Sequence, residues 1–454
     1  MGVETNFDMI ADGELFPTID MCRRNAKYRL NESRFNGTYA ENKYLIVMDN
    51  AGNKKKLLWQ QLKLNKFKLY TNKMVSLIFN RDPVIKSGNA VRDKQINALV
   101  DRTHWLNGIR TAIKNMETYG DAPIKTWSGG CSAFSPVNCF KVVNENNKDE
   151  IIAYVLVEYI KDKKGVTTHI RFETHLRGYV YERVYKYNGS TLGKSVRYNY
   201  GSRWIPVDGN TFSTGVDENM VQWLARDVSE DSTYGQSPYE DFACLIHEAE
   251  RRQTLNIKIL DAHSEPMLAV GMGMLRENEV TGQVEAFDIL GNIVQIPQGQ
   301  NKPEYITWDG KLDSSEKMLD LLITEIYEIT ELGKTFMTGE YTGNISDDSL
   351  NDLVKSATDR ANRHVWDICY EVRKSLYVLC KLNDIDVQLE ELNILFQVGQ
   401  SDGIKTIAEV FNSRVEKGTI SVFTGLQEYY GFSEEQASQE VNRIKIEKGG
   451  AVNE

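Results

Sequence analysis

The stretch DSSEKMLDLLITEIYEITELGKTFMTGEYTGNISDDSLNDLVKSATDRANRHVWDICYEVRKSLYVLCKL, residues 313–382, decides the fold. It reads as two helices with a break between them. The first is predicted over Ser314 to Phe336, with Met318, Leu319, Leu322, Ile323, Ile326, Ile329 and Leu332 on one apolar face at three- and four-residue spacing. Lys317, Asp320, Thr324, Glu328, Glu331 and Thr335 trace a polar stripe on the other side. Met337–Asp348 holds two glycines and no apolar period, which ends a helix. The second helix is predicted from Asp348–Ser349 to about Leu382, its apolar face running through Leu350, Val354, Ala357, Ala361, Val365, Ile368, Val372, Leu376 and Leu379. It would span about 50 Å, where three or four turns are usual in a globular domain.

Before this stretch the chain alternates between helical and strand periods. Ile19–Asn36 reads as a surface helix, Lys43–Met48 and Lys54–Leu58 as a hairpin, and Leu64–Phe79 and Gln95–Tyr119 as two more helices. From Lys125 to Arg203 the period drops to two, and Ala153–Ile160, Thr168–Thr174, Gly178–Tyr185 and Val196–Tyr200 form an antiparallel meander. Trp204 and Trp223 are read as packing anchors. Ser237 caps a helix over residues 237–262, with Pro238 at its first position. Glu265–Leu312 is a strand-and-turn excursion, with strands over Met267–Met274 and Phe287–Ile296. After the long helix come a strand within Asp386–Phe396 and helices over Asp402–Val415, Gly418–Gly431 and Ser433–Lys448.

The chain has 454 residues, net charge −10, 41% hydrophobic and 26% charged residues, which suits a folded protein of several domains. The acidic balance disfavours a tight phosphate-backbone binder, but not a protein that lets nucleic acid pass without holding it. No apolar run reaches the length of a membrane span, and the first residues lack the pattern of a signal peptide. Six cysteines are scattered without a CxxC pair, so free thiols are expected and no metal site.

No stretch carries a catalytic signature, and no cofactor is expected. Gly189–Ser195 imitates a phosphate-binding loop, but three residues separate its glycines instead of four, and a strand follows rather than a helix. It is read as a hairpin turn. Cys131, in SGGCSAF, lacks a histidine partner and is read as a free thiol in a turn. His247 and His263 are read as structural. The pairs Asp347–Asp348 and Asp384–Asp386 are read as caps or solvated charge.

The order of elements resembles the portal proteins of tailed bacteriophages: two helices flanking a β-rich excursion, a glycine-containing break, a very long helix, then a strand and small helices. LYTNKMVSLIFNRDPV (Leu69–Val84), YGQSPYEDF (Tyr234–Phe242) and KGTISVFTGLQEYYGFSEEQASQEVNRIKIEK (Lys417–Lys448) match the family's character in the right order. The resemblance implies an α+β, portal-like fold with wing, helical stem, β-containing clip and helical crown, assembled as a ring of probably twelve copies. Residues 1–236 would be the first part of the wing, 237–264 and 313–337 the stem helices, and 265–312 the clip. Residues 338–398 would give the tunnel loop, the long wing helix and a closing strand, and 399–454 the crown. It further implies a virion protein at one capsid vertex, assembled in the host cytoplasm, that passes double-stranded DNA. Its partners would be the terminase large subunit, a head–tail adaptor, and capsid and scaffold proteins, with no membrane.

Carried onto this sequence, the resemblance puts Lys317, Asp320, Thr324, Glu328 and Glu331 on the channel side of the stem. Lys334, Thr338, Gly339, Glu340, Tyr341, Thr342, Gly343 and Asn344 would lie at the tunnel loop. Arg276, Glu277, Asn278, Glu279, Phe287 and Asp288 would lie on the clip surface that meets terminase or adaptor. Residues 313–337 carry six acids against two bases, a sign that would repel DNA phosphates. Two other readings stay open: a nucleic-acid or nucleotide-processing enzyme with an unrecognised site, and another ring component of a virion.

Overall fold

The protein is described by a computed structural model covering residues 6–39, 43–48, 54–59, 62–147, 150–229, 232–264, 267–271, 276–277, 284–285, 293–296, 304–306, 312–338, 347–399, 411–430 and 434–449. Its architecture is mixed helix and sheet. The long helix, α8 (Asp347–Lys381), forms its spine. Ala357, Ala361, Ile368, Val372, Leu376 and Leu379 are fully enclosed along one side. The expected start and end hold to within a residue, because an unbroken apolar period leaves a helix little freedom.

Around α8 pack α2 (Lys66–Ile78), α3 (Ala90–Thr103), α4 (Trp105–Tyr119) and a three-stranded sheet ordered β14–β4–β5. Its strands are β4 (Asp121–Trp127), β5 (Gly130–Ala133) and β14 (Val221–Ala225). Together these enclose one core centred on Trp105, Tyr70, Phe67, Met116 and Tyr239. Trp105 donates its Nε1–H to Ser375 Oγ on α8 at 3.0 Å. A ribbon of β3 (Arg81–Lys86) and β20 (Asn393–Gln397) closes one side.

Three of the four predicted meander strands enter a six-stranded sheet, β10–β9–β8–β7–β6, with β13 (Asn210–Ser213) also paired to β9; the fourth, expected over Val196–Tyr200, is instead β11 (Tyr198–Tyr200), which pairs with β12 (Arg203–Ile205) in a separate hairpin. The strands are β6 (Cys139–Val143), β7 (Ile151–Lys161), β8 (Thr167–Leu176), β9 (Tyr179–Tyr187) and β10 (Leu192–Ser195). Phe16 and Met21 pack beneath it in a second core with Phe140, Phe172 and Tyr185. The phosphate-loop imitation is a hairpin: Asn188 Oδ1 accepts from Ser190 and Thr191 N–H, and β10 then pairs with β9.

Other expectations need correction. The helix predicted over Gln95–Tyr119 is two helices, parted at His104, whose φ is +51°. Trp204 is exposed, with the Arg197 guanidinium 4.6 Å over its ring, whereas Trp223 is buried and donates to Asp121 Oδ1 at 2.6 Å. The helix predicted over Ser314–Phe336 stops at Ile329: α6 spans Asp313–Ile329 and α7 spans Lys334–Thr338. Glu331 (φ +55°) and Gly333 (φ +65°) turn the chain between them. Pattern alone carries the helix across, since Leu332 and Phe336 keep the period. Tertiary contacts override it.

The surface helix α1 (Ile19–Asn36) also has an inner face, where Tyr28 donates to Asp121 Oδ2 at 2.7 Å. The hairpin of β1 (Lys43–Met48) and β2 (Lys54–Trp59) is present. After α5 (Tyr239–Ser264), the excursion shows β15 (Met267–Gly271) between β18 (Ile293–Ile296) and β19 (Glu304–Ile306). β15 runs parallel to β18 and antiparallel to β19. Beside them β16 (Arg276–Glu277) pairs with β17 (Val284–Glu285). At the end, residues 411–416 form α9, followed by α10 (Val422–Tyr430) and α11 (Glu434–Gly449). Ser421 Oγ caps α10 by accepting from Thr424 N–H at 3.0 Å.

Candidate functional site

α5 and α6 pack side by side as a hairpin, and Ser315 Oγ on α6 donates to Asn256 Oδ1 on α5 at 2.6 Å. Ser237 positions α5: its Oγ accepts from Tyr239 N–H and donates to the Thr118 carbonyl. There the backbone of Gly235 lies so near Gly120 that a Cβ would strike the Gly120 carbonyl oxygen. Only glycine admits that approach.

On α6 the buried side chains are Leu322, Ile326 and Tyr327, a narrower arc than the period suggested. Met318 and Ile329, read from sequence as inward, stand 36% and 39% exposed, and Leu321 52%. α6 therefore shows solvent two stripes. Lys317, Asp320, Thr324 and Glu328 form a polar one, all exposed. Beside it Met318, Leu321, Glu325 and Ile329 form a largely apolar one at spacings of three, four and four. α5 adds Ile257 and Leu260, also exposed.

Glu331 does not join the polar stripe. It lies in the turn after α6, where its carboxylate meets Arg363 Nη2 at 2.5 Å and Arg360 Nη1 at 3.4 Å on α8. Arg360 is buried and also donates to the Ile329 carbonyl at 3.0 Å. Lys334 and Thr338, the ends of α7, are exposed. Gly339, Glu340, Tyr341, Thr342, Gly343 and Asn344 lie outside the described residues, as do Asn278, Glu279, Phe287 and Asp288. Arg276 and Glu277 form β16.

Behind the hairpin lies a buried polar chain that the sequence did not advertise. Tyr70 on α2 donates to Glu117 Oε2, Glu117 Oε1 meets His364 Nδ1 at 2.6 Å, and His364 Nε2 accepts from Arg226 Nε at 3.0 Å. Burial pushes the Glu117 carboxyl up, but His364, with Arg226 and Arg360, holds it below the ordinary range. A second such network sits on the large sheet. Arg171 reaches Glu158, Glu173 and Glu182, while Lys125 and His175 also hold Glu173. This network fills one wall of a groove of about 950 Å³ beside β7 and β8, and the acids already engage its buried cation. Cys131 lies on β5 rather than in the expected turn; burial pushes its thiol up to about 12, and it donates to the Trp105 carbonyl. Among the described residues no three His, Cys, Asp or Glu side chains are placed to hold a metal ion. No described helix is long and apolar enough to cross a membrane.

No protein-family model and no curated protein matches the chain. Among solved structures, it is similar to a chain from the neck of an empty gene transfer agent particle, at 9% identity over 78% of this chain and 85% of that one, TM-score 0.41. It is also similar to a chain from the virion of a native gene transfer agent particle, at 10% identity over 80% and 93%, TM-score 0.36.

Proposed function

We propose that this chain is the subunit of a portal ring, a non-enzymatic homo-oligomeric conduit for double-stranded DNA at one vertex of a phage-like capsid. The observation that carries the reading is the pair of stripes on α6. A lone protein in water gains nothing from exposing Met318, Leu321, Ile329, Ile257 and Leu260 on two neighbouring helices. In a ring, the adjacent copy covers the apolar stripe, and the polar stripe beside it faces the opening. Asp320 and Glu328, repeated around the lumen, repel phosphates within a screening length of about 10 Å. The duplex then slides; a basic lumen would hold it by counterion release.

In this reading Lys334 offers a cation near the narrowest point, and the strands of residues 265–312 face the terminase large subunit and later the head–tail adaptor. ATP hydrolysis belongs to the terminase, and capsid or scaffold proteins hold the ring in the shell. The test is class-averaged electron microscopy of the purified chain, with native mass measurement. A closed ring of about twelve copies with an axial hole is the expected result. A solitary monomer at every concentration, or ATP turnover by the chain alone, would sink the proposal.

A further inference from the structure

β7 is eleven residues long and its neighbour β6 only five. Their register ends at the pair Cys139–Leu156, where β6 is preceded by the turn of Pro136–Asn138. Residues 157–161 of β7 therefore have β8 on one side and, among the described residues, no strand on the other.

Backbone bonds at either end fix which residues point to the open side. On β6, the Lys141 N–H turns away from β7 and donates to Tyr234 Oη at 3.1 Å, so Phe140 and Val142 are the residues that bond Val155 and Ala153. At the far end, Asp162 N–H donates to the Val166 carbonyl at 2.9 Å, across the hairpin that leads into β8. Alternation between these points leaves Val157, Tyr159 and Lys161 with N–H and C=O aimed away from β8. Among the described residues no hydrogen bond reaches the backbone of Tyr159 or Lys161 from that side.

This edge runs for about 17 Å. It opens onto the groove of about 950 Å³, which Arg29 of α1, Phe134 and Asn138 also line. A row of unpaired N–H and C=O groups is a template for one more strand.

We propose that the β7 edge at residues 157–161 is a docking site for an extended, acidic segment of a partner protein, which joins the large sheet as a strand beside β7. Every group it uses lies within one copy, so it does not depend on the ring reading. The open backbone groups require an extended peptide; a nucleic-acid strand has no ladder of N–H and C=O to match them. The charge requires acids. Glu158 and Glu173, which line the groove, are engaged by Arg171 and Lys125 within the chain. Arg29 and Lys161 also line it, exposed, with no salt bridge among the described residues. These two cations are left for carboxylates on the incoming strand.

The experiment uses the full chain and a short fluorescent peptide alternating glutamate with valine, which puts all its acids on one face of a strand. Anisotropy should give a Kd of about 10–100 μM, weakened roughly tenfold in the doubly reversed variant Arg29→Glu, Lys161→Glu. An added edge strand uses every second N–H, so methylating one alternate set of peptide nitrogens should abolish binding and methylating the other should spare it. Hydrogen exchange resolved to single residues should show the Tyr159 and Lys161 amides slowing at least about tenfold with peptide, and Ile160, which faces β8, unchanged. No binding up to about 1 mM, equal binding by the two methylated peptides, or unaltered exchange at Tyr159 and Lys161 would overturn the site. Protection of those amides in the chain alone as its concentration rises would give the edge to a second copy. Protection by a single-stranded oligonucleotide and not by the peptide would make the groove a nucleic-acid site. Either result would overturn the proposal, and none of these outcomes touches the ring reading, which stands on α5 and α6.

Discussion

Glu117 and Glu328 are both glutamates on helices, and they live in opposite worlds. Glu117, on α4, is wholly enclosed, with partners from α2 and α8. Glu328, on α6, stands in solvent beside exposed Ile329. The α4–α8 region satisfies its polar groups from within the chain. The α5–α6 hairpin exposes Met318, Leu321 and Ile329 to solvent beside Asp320 and Glu328. That contrast separates a region that satisfies its own groups from one whose exposed apolar stripe the proposed ring would cover.

The contrast can be broken by substitution. Trp105→Ala should have the largest effect, about 3–5 kcal/mol lost in denaturant unfolding, since it empties the core and strips Ser375 of its indole donor. Glu117→Ala should cost a similar amount, about 3–5 kcal/mol, because it leaves His364 and Tyr70 without their buried acceptor and removes the negative charge nearest Arg226 and Arg360. The same residue sets a pH dependence. Its folded carboxyl titrates below its unfolded value, so its contribution is full above about pH 4.5 and is lost as pH falls through the depressed folded value. Unfolding followed between pH 6 and 3 should therefore show a steeper acid loss in wild type than in Glu117→Gln. If Glu117→Ala unfolds like wild type, the buried chain of contacts is not holding the region together.

The hairpin side predicts smaller numbers. Arg363→Ala should cost the isolated chain under about 1 kcal/mol, because both partners of that ion pair are partly in water. Leu321→Ala should shift the monomer's unfolding by no more than about 0.5 kcal/mol while weakening association, read by sedimentation. A large loss of monomer stability from Leu321→Ala would erase the distinction between the two regions. Lys334→Glu should leave stability unchanged and reduce DNA filling of particles.

The sequence shows α8 clearly because its period runs for nine turns without a competitor. The meander and the hairpin of β1 and β2 were legible for the same reason. The breaks at His104 and Glu331 were not. Each places a residue with a side chain in the left-handed region, and no local rule marks such a site when distant contacts impose it. The buried charges were equally hidden. Arg24, Glu117, Arg171 and His364 look like solvated surface in one dimension, and only the fold brings their partners together. Of the candidate channel side chains, Lys317, Asp320, Thr324 and Glu328 were legible as one stripe. Glu331 was not, because its place is set by Arg360 and Arg363, some thirty residues further along the chain.

The tie between Trp105 and Ser375 joins residues 270 positions apart, and Asn383 reaches back 255 positions to the Ser128 carbonyl. A ribosome must therefore translate most of the message before the first third of the product can close its interior. Until then the nascent chain trails Trp105, Ile109 and Met116 uncovered, a client for whatever chaperone waits at the exit tunnel. Early stop codons should yield sticky debris rather than smaller working pieces.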